Sequence, residues 1–246
     1  MTRGQDFVRP EGDGASRRSR GRCAPYDALV GREGLSASHR LLVDAVPRGA
    51  RVLDVGCSGG YLAVALREER DASVLGIEPD PVAVDAARRR GVEVIAGSVE
   101  DPTALGAARG PFDAVVCGDV LEHIVDPWGT LAVLAALLRP GGCAVVSLPN
   151  AAHWTVRRAL VRGRFPREDH GLFDRTHLRW FTRADARALV TGAGLEIVDE
   201  HFTEAPLPLE AHVALPGRVR ALAVRRAPEL FALQVVLVGQ RPADAR

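Results

Sequence analysis

The stretch Arg51–Leu66, RVLDVGCSGGYLAVAL, runs from an apolar segment into a glycine cluster and out into a helical pattern. A chain does this where a strand stops abruptly and a ligand can approach the bare backbone of a helix start. Around this stretch the pattern alternates. SVLGIEP, VEVIAG, FDAVVCGDV and CAVVSLPN read as further strands. GYLAVALREER, PVAVDAARRRG, a short piece near 102–108 and DPWGTLAVLAALLRPGG read as helices, the last closed by Pro-Gly-Gly. The strands are apolar almost throughout, so both faces are covered, and helices lie between them. That combination predicts a parallel, doubly wound α/β sheet with right-handed crossovers.

Further along, SASHRLLVDAVP predicts a helix capped at Ser36, and TRADARALVTGAG one capped at Thr182. LEIVDEHF is a sixth strand, a short arginine-rich helix covers 217–226, and LFALQVVLVGQ is a last, strongly apolar strand. Between Asn150 and Thr182 the regularity breaks. AAHWTVRRALVRGRFPREDHGLFDRTHLRWF is rich in Arg, His and aromatics and reads as an inserted lid over 151–181, a helix followed by a loop. Residues 1–24 lack apolar periodicity and read as a flexible tail, leaving 25–246 as a single domain with its cofactor half at 51–150.

The 246 residues are 47% hydrophobic and 26% charged, enough for a sizeable core. A formal net charge of +1 gives no global field for nucleic acid or membrane. All basic residues are arginine, which source-genome bias explains better than selection for anion contacts. The four cysteines form no C-x-x-C pair, and the start lacks the apolar core of a signal peptide. A cytoplasmic protein is expected.

The turn DVGCSGG lies where open α/β sheets bind ligands, at the carboxyl ends of the strands. Gly56 permits the sharp exit, and Gly59 and Gly60 allow close approach. About twenty residues on, Glu78 ends the second strand, where its carboxylate suits two ribose hydroxyls. These features alone fit NAD or another adenosine ligand. Two details separate them. Ser58 and Tyr61 break the G-x-G-x-x-G spacing. Asp54, inside the motif, would repel a pyrophosphate and attract an ammonium or sulfonium group.

At this point the chain resembles the class I S-adenosylmethionine-dependent methyltransferases. VLDVGCSGG resembles their first motif, GIEPD the second, IAGSVED the third and FDAVVCGDVLEHIVDP the fourth, in order and at matching spacing. The resemblance implies a Rossmann-like, doubly wound, mostly parallel seven-stranded sheet with the last strand antiparallel, and S-adenosylmethionine as cofactor. It implies cofactor contacts at Asp54, Gly56, Cys57, Ser58, Gly60, Glu78 and Pro79. Ser98 and Val99 would lie on the adenine side with Glu100, and Asp119 and Val120 along the methionine portion. Ser58 replaces the usual middle glycine of the first motif, and Ser98 stands where many relatives carry an acid.

For the transfer itself, His123 in DVLEHI follows the fourth strand, and His177 in HLRWFT falls near the acceptor side of one small-molecule subgroup. Both are candidate catalytic residues, His123 as general base. A helix-start residue shaping the pocket floor is the plainer reading of His123, and a packing contact that of His177. His153, His170, Asp174 and His177 show no metal-ligand spacing, so no metal is expected. Trp154, Phe165, Phe173, Trp180 and Phe181 would make the lid apolar.

The expected activity is methyl transfer to a small-molecule acceptor at oxygen. The alternatives are N- or C-methylation, or a regulatory protein that binds the cofactor without turnover. No aromatic D-P-P-Y-type motif follows the fourth strand, so a nucleic-acid substrate is not expected.

Overall fold

The computed structural model describes residues 34–211 and 216–243. The expected tail at 1–24, with Cys23, lies outside them. A single mixed sheet organises the rest. Strands β1 (Arg51–Val55), β2 (Ser73–Glu78), β3 (Glu93–Ala96), β4 (Phe112–Gly118), β5 (Leu138–Pro149), β6 (Glu196–Glu204) and β7 (Ala232–Gln240) stand in the order β3-β2-β1-β4-β5-β7-β6. β1 to β5 pair in parallel, and β7 runs antiparallel to both β5 and β6. The expected seven-stranded sheet with an antiparallel last strand is what forms.

The helices are α1 (Ala37–Ala45), α2 (Tyr61–Arg70), α3 (Pro81–Arg89), α4 (Pro102–Ala107), α5 (Pro127–Ala136), α6 (Trp154–Val161), α7 (Arg183–Gly192), α8 (Gly217–Arg226) and α9 (Pro228–Phe231). Their starts follow local chemistry. Asp80, Asp101 and Asp126 accept from backbone N–H groups of the first turn, each followed by proline at the first helical position. Ser36 and Thr182 make capping boxes with His39 and Asp185.

Successive strand residues face opposite sides, and both sides are buried. Leu53, Val55, Ile77 and Val115 pack with Leu131, Leu134 and Leu189. Val52, Ala114 and Val116 pack with Leu42, Leu62 and Leu66. This double cover is why the strands read as unbroken apolar runs.

One boundary differs from the sequence pattern. The helix expected to close at Pro-Gly-Gly ends at Ala136, and Leu138 already pairs with Phe112 at the head of β5. Pro140 has no N–H to continue a helix, and Gly141, at φ +76°, lets the backbone turn before the ladder resumes at Cys143.

β7 approaches α7 closely at Gly239, where an added Cβ would lie 2.6 Å from Val190 Cγ1 and 3.1 Å from Leu195 Cβ. Gly239→Ala therefore overpacks this junction. A loss of about 1–3 kcal/mol is expected in urea unfolding, and an unchanged midpoint would show that α7 shifts freely on the sheet.

Candidate functional site

The first turn is shaped by backbone constraints. Gly56 sits at φ +66°, and a Cβ there would come 2.6 Å from Val120 Cγ2, so the ends of β1 and β4 meet at that point. Ser58 is also left-handed, at φ +49°. Gly60, at φ +81°, caps α2 and packs on α3, where a Cβ would be 3.0 Å from that of Ala87. The Cys57 side chain turns away into the small core beneath α3 and fills the space above Gly76. Its backbone N–H donates to the Ile77 carbonyl at 3.3 Å, and its own carbonyl accepts the Gly60 N–H at 2.9 Å. Among these residues, Gly60 and Cys57 serve packing as much as any site.

Glu78, buried at the end of β2, holds this turn. Its Oε2 accepts the Ser58 N–H at 3.0 Å and its Oε1 the Asp80 N–H at 2.9 Å. Pro79 beside it is exposed. Asp54 is 2% exposed, and its Oδ2 has no hydrogen-bond partner among the described residues. Burial, reinforced by the nearby Glu78 charge, pushes its carboxyl up to about 7. Ser98 Oγ accepts the Glu100 N–H, Val99 is buried, and Glu100 Oε1 accepts the Val125 N–H. The third-motif residues are thus tied to the loop after β4.

Asp119 ends that strand in the left-handed region, at φ +54°. Its backbone N–H donates to Ser147 Oγ at 3.0 Å, and the Ser147 hydroxyl returns a bond to Oδ1 at 2.7 Å. Gln234 of β7 donates its amide to both carboxylate oxygens at 2.8 Å. Three hydrogen bonds, from one residue of β5 and one of β7, fix this side chain. Gln234 is a residue the sequence reading missed, because its contact is made 115 positions away in the chain.

The segment between β5 and α7 brings further polar groups to the same edge. Leu178 and Arg179 donate their N–H groups to the Glu122 carbonyl, which fastens HLRW onto the turn after β4. His123 and His177 come together, with ring centroids 4.8 Å apart. His123 Nδ1 lies 3.2 Å from the Thr176 carbonyl oxygen and 3.1 Å from Thr176 Oγ1, whose hydroxyl donates to Asp174. A carbonyl only accepts, so Nδ1 carries a proton, and in the neutral ring the lone pair is on Nε2. Burial works against ionised Asp174, but the hydrogen bonds from Thr176 outweigh it and hold the carboxyl below its usual range. Burial pushes His177 down to about 4, with the His123 charge acting the same way. His177 is neutral at physiological pH.

Glu122 is the second residue that sequence reading passed over. It is 1% exposed, and neither carboxylate oxygen has a hydrogen-bond partner among the described residues. Its Oε1 lies 3.9 Å from His177 Nε2, too far for a hydrogen bond. Burial and then the Asp119 charge raise this carboxyl well above the ordinary range, so it is a neutral acid.

Glu122, His123 and His177 place ligand-capable atoms within 4.8 Å of one another, a grouping with no sequence spacing to reveal it. A tetrahedral zinc holds its ligand atoms only about 3.3 Å apart, and His123 Nδ1 is already engaged by Thr176. The group as it stands suits proton handling better than metal ligation. His153 instead caps α6, and burial pushes it down to about 4. Of the lid aromatics, Phe181 is buried in the core, while Phe165 and Trp180 stay exposed.

The arrangement is acid-lined: Asp54, Glu78, Asp119 and Glu122 crowd the carboxyl ends of β1, β2 and β4. A family model described as a methyltransferase domain matches residues 29–200. The "Ubiquinone biosynthesis O-methyltransferase" of Xanthomonas axonopodis pv. citri (strain 306) is 36% identical over 165 residues, covering 62% of this chain and 65% of that protein. The protein of the same name from Xylella fastidiosa (strain 9a5c) is 34% identical over 162 residues, with 61% and 63% covered. The chain thus spans a little under two thirds of the length of these curated relatives. A Thermotoga maritima structure, titled a SAM-dependent methyltransferase and possible histamine N-methyltransferase, superposes with a TM-score of 0.61. It shares 18% identity over 88% of this chain and 95% of that one, a likeness of fold.

Glu122 offers a test that needs no ligand. Its folded-state carboxyl titrates above the unfolded one, so its contribution is fully present below about pH 4.5 and is lost as pH rises towards the folded value. Glu122→Gln has no proton to lose. The parent should therefore lose stability relative to the variant as pH is raised from 4.5 to 8, read as melting temperatures. Parallel curves would show that Glu122 ionises freely in the fold.

Proposed function

The chain belongs to the methyltransferase-domain family, and from that premise we propose that it transfers a methyl group from S-adenosylmethionine to an oxygen of a small organic acceptor, in the cytoplasm. The observation that carries this reading is the acid-lined mouth, above all the buried Asp54 oxygen that has no hydrogen-bond partner among the described residues. Buried carboxylates repel a diphosphate and welcome a cation. The left-handed turn at Gly56 and Ser58 lies beside them. These residues fit an adenosyl donor with a positively charged end. No helix among the described residues is long and apolar enough to cross a membrane.

When bound, S-adenosylmethionine supplies a methyl group on a positively charged sulfur, open to in-line displacement. Glu78, already oriented by two N–H groups, is the ribose acceptor, with Asp54 facing the cationic end. Val99 and Ser98 flank the adenine side, and Asp119 and Val120 border the methionine portion. His123 is the general base: its Nε2 lone pair can take the proton of an acceptor hydroxyl while Nδ1–H stays on Thr176. His177, neutral and buried against it, is a positioning residue. The 151–181 segment acts as the lid that excludes water from the transfer. The curated relatives' common name, an O-methyltransferase, supports oxygen as the acceptor atom.

Calorimetry with S-adenosylmethionine tests the carrying observation. A cation beside Asp54 favours its ionised form, so with the empty-site carboxyl at about 7, binding below that pH must release a proton. Affinity should fall about tenfold per pH unit below 7, and Asp54→Asn should flatten the profile. Flat binding in the parent would remove Asp54 from the site.

Turnover with a panel of phenols tests the base. His123→Ala should keep donor affinity and lose roughly 100-fold or more in kcat, a deficit that shrinks towards about pH 10, where a phenol ionises unaided. A variant with full kcat at neutral pH would leave positioning alone to account for the rate.

A further inference from the structure

Away from the acid-lined mouth, the 151–181 segment forms an open hollow of about 840 Å³, the size of a pocket for a whole small molecule. Its walls include Thr155, Arg158, Arg162, Arg164, Phe165 and Phe173. Thr155 and Arg158 lie on one stripe of α6 at helical spacing, continued past its end by Arg162, which caps it, and Arg164. None of the three arginines is ion-paired with an acid among the described residues. That contrasts with Arg183, Arg187 and Arg220, which each pair with glutamate. Three guanidinium groups against the one carboxylate of Glu168, which also lines the cavity, leave its wall with net positive charge. Phe165 and Phe173 meet edge to face at 5.4 Å and give it an aromatic side. Arg158 lies 5.4 Å over the Trp154 ring, which fixes one guanidinium in place.

An apolar groove of about 370 Å³ adjoins it, lined by Ala151, Val156, Leu160 and Trp180, with Phe165 as the shared wall. Leu160 is 56% exposed and Trp180 42%, large apolar surface left open beside the arginines. The chain connects both hollows to the transfer site. Ala151 follows the end of β5, and Phe173 precedes Asp174, which reaches His123 through Thr176.

We propose that this arginine cavity is the acceptor's anion subsite, and that the acceptor is a phosphate-bearing organic molecule whose apolar or aromatic body lies along the adjoining groove. Unpaired guanidinium groups on a short helical stripe match the spread charge of a phosphate or diphosphate, which accepts their N–H groups in pairs. Arg158 and Arg162 are about 6 Å apart along the helix axis, close enough for both side chains to converge on one such group. This deepens the methyltransferase reading by naming the substrate class, and rests on it for the word acceptor alone.

Phenyl phosphate, phenol and inorganic pyrophosphate are the probes, titrated into the full chain by calorimetry, with S-adenosylmethionine binding measured separately. Phenyl phosphate should bind at least about tenfold tighter than phenol. Arg158→Gln/Arg162→Gln, and about 0.5 M sodium chloride in the parent, should each remove most of that difference. The variant should bind S-adenosylmethionine as the parent does, because the substituted side chains are exposed and outside the sheet mouth. If the parent binds phenyl phosphate but no S-adenosylmethionine, the anion site stands and the methyl-transfer reading falls. Equal affinities for phenyl phosphate and phenol, or a double variant that binds like the parent, overturns the anion site. So does arginine-dependent binding to phosphatidylglycerol vesicles with no binding of phenyl phosphate or pyrophosphate, which would make the anion a lipid surface.

Discussion

The Glu78 carboxylate is the joint on which the candidate site turns. One oxygen receives an N–H from the turn after β1 and the other an N–H from the turn after β2. A buried carboxylate without such donors would cost several kcal/mol, so the two turns and the acid stabilise one another. The consequences spread outwards. With Ser58 pinned, Gly56 must take its left-handed bend against Val120, and Cys57 is directed down onto Gly76. With the Asp80 N–H pinned, the Asp80 side chain is placed to accept from Val82 and start α3. Loss of the carboxylate would loosen the cradle before any ligand contact was considered.

The protein carries its clustered acids in two different ways. Glu78 and Asp119 are supplied with donors, from backbone N–H groups in one case and from Ser147 and Gln234 in the other. Asp54 and Glu122 are left with orphan oxygens, and burial raises both carboxyls. The distinction is chemical. Acids given donors are held still. An acid whose protonation is balanced near neutrality gains most from an arriving cation, because the cation restores the charge that burial suppresses. Asp54 is so placed. Glu122, with no cation expected beside it, stays a neutral acid next to a neutral histidine.

Much of this was legible in the sequence. Unbroken apolar strands between helical stretches fix a parallel, doubly covered sheet, and glycine with acid at the ends of β1 and β2 marks its ligand edge. Capping signals at Ser36 and Thr182 place two helix starts. What could not be read is what the fold alone brings together. Gln234 reaches Asp119 only because β7 inserts between β5 and β6. Glu122 looks in sequence like an exposed acid of a LEH turn, and its burial follows from HLRW packing over it through two backbone bonds. Cys57 sits inside the motif but points to the core, since motif membership says nothing of side-chain direction. The early start of β5 was hidden because LRPGG resembles a helix stop, and an extended strand can use the same proline and glycines.

Two surfaces of opposite sign then divide the molecule. The sheet edge is acid-lined and suits a cationic donor, but the same charges would repel an anionic acceptor coming from solvent. Arg158, Arg162 and Arg164, without acid partners among the described residues, would offset that repulsion for an acceptor held in the insert. An acceptor held by its anionic end in the insert would present its opposite, neutral end to His123, so the geometry sorts charge before it sorts shape. Donor choice would then be written in the sheet, where buried backbone leaves little room for change. Acceptor choice would be written in α6 and the loop after it, where exposed side chains can be replaced without disturbing the core.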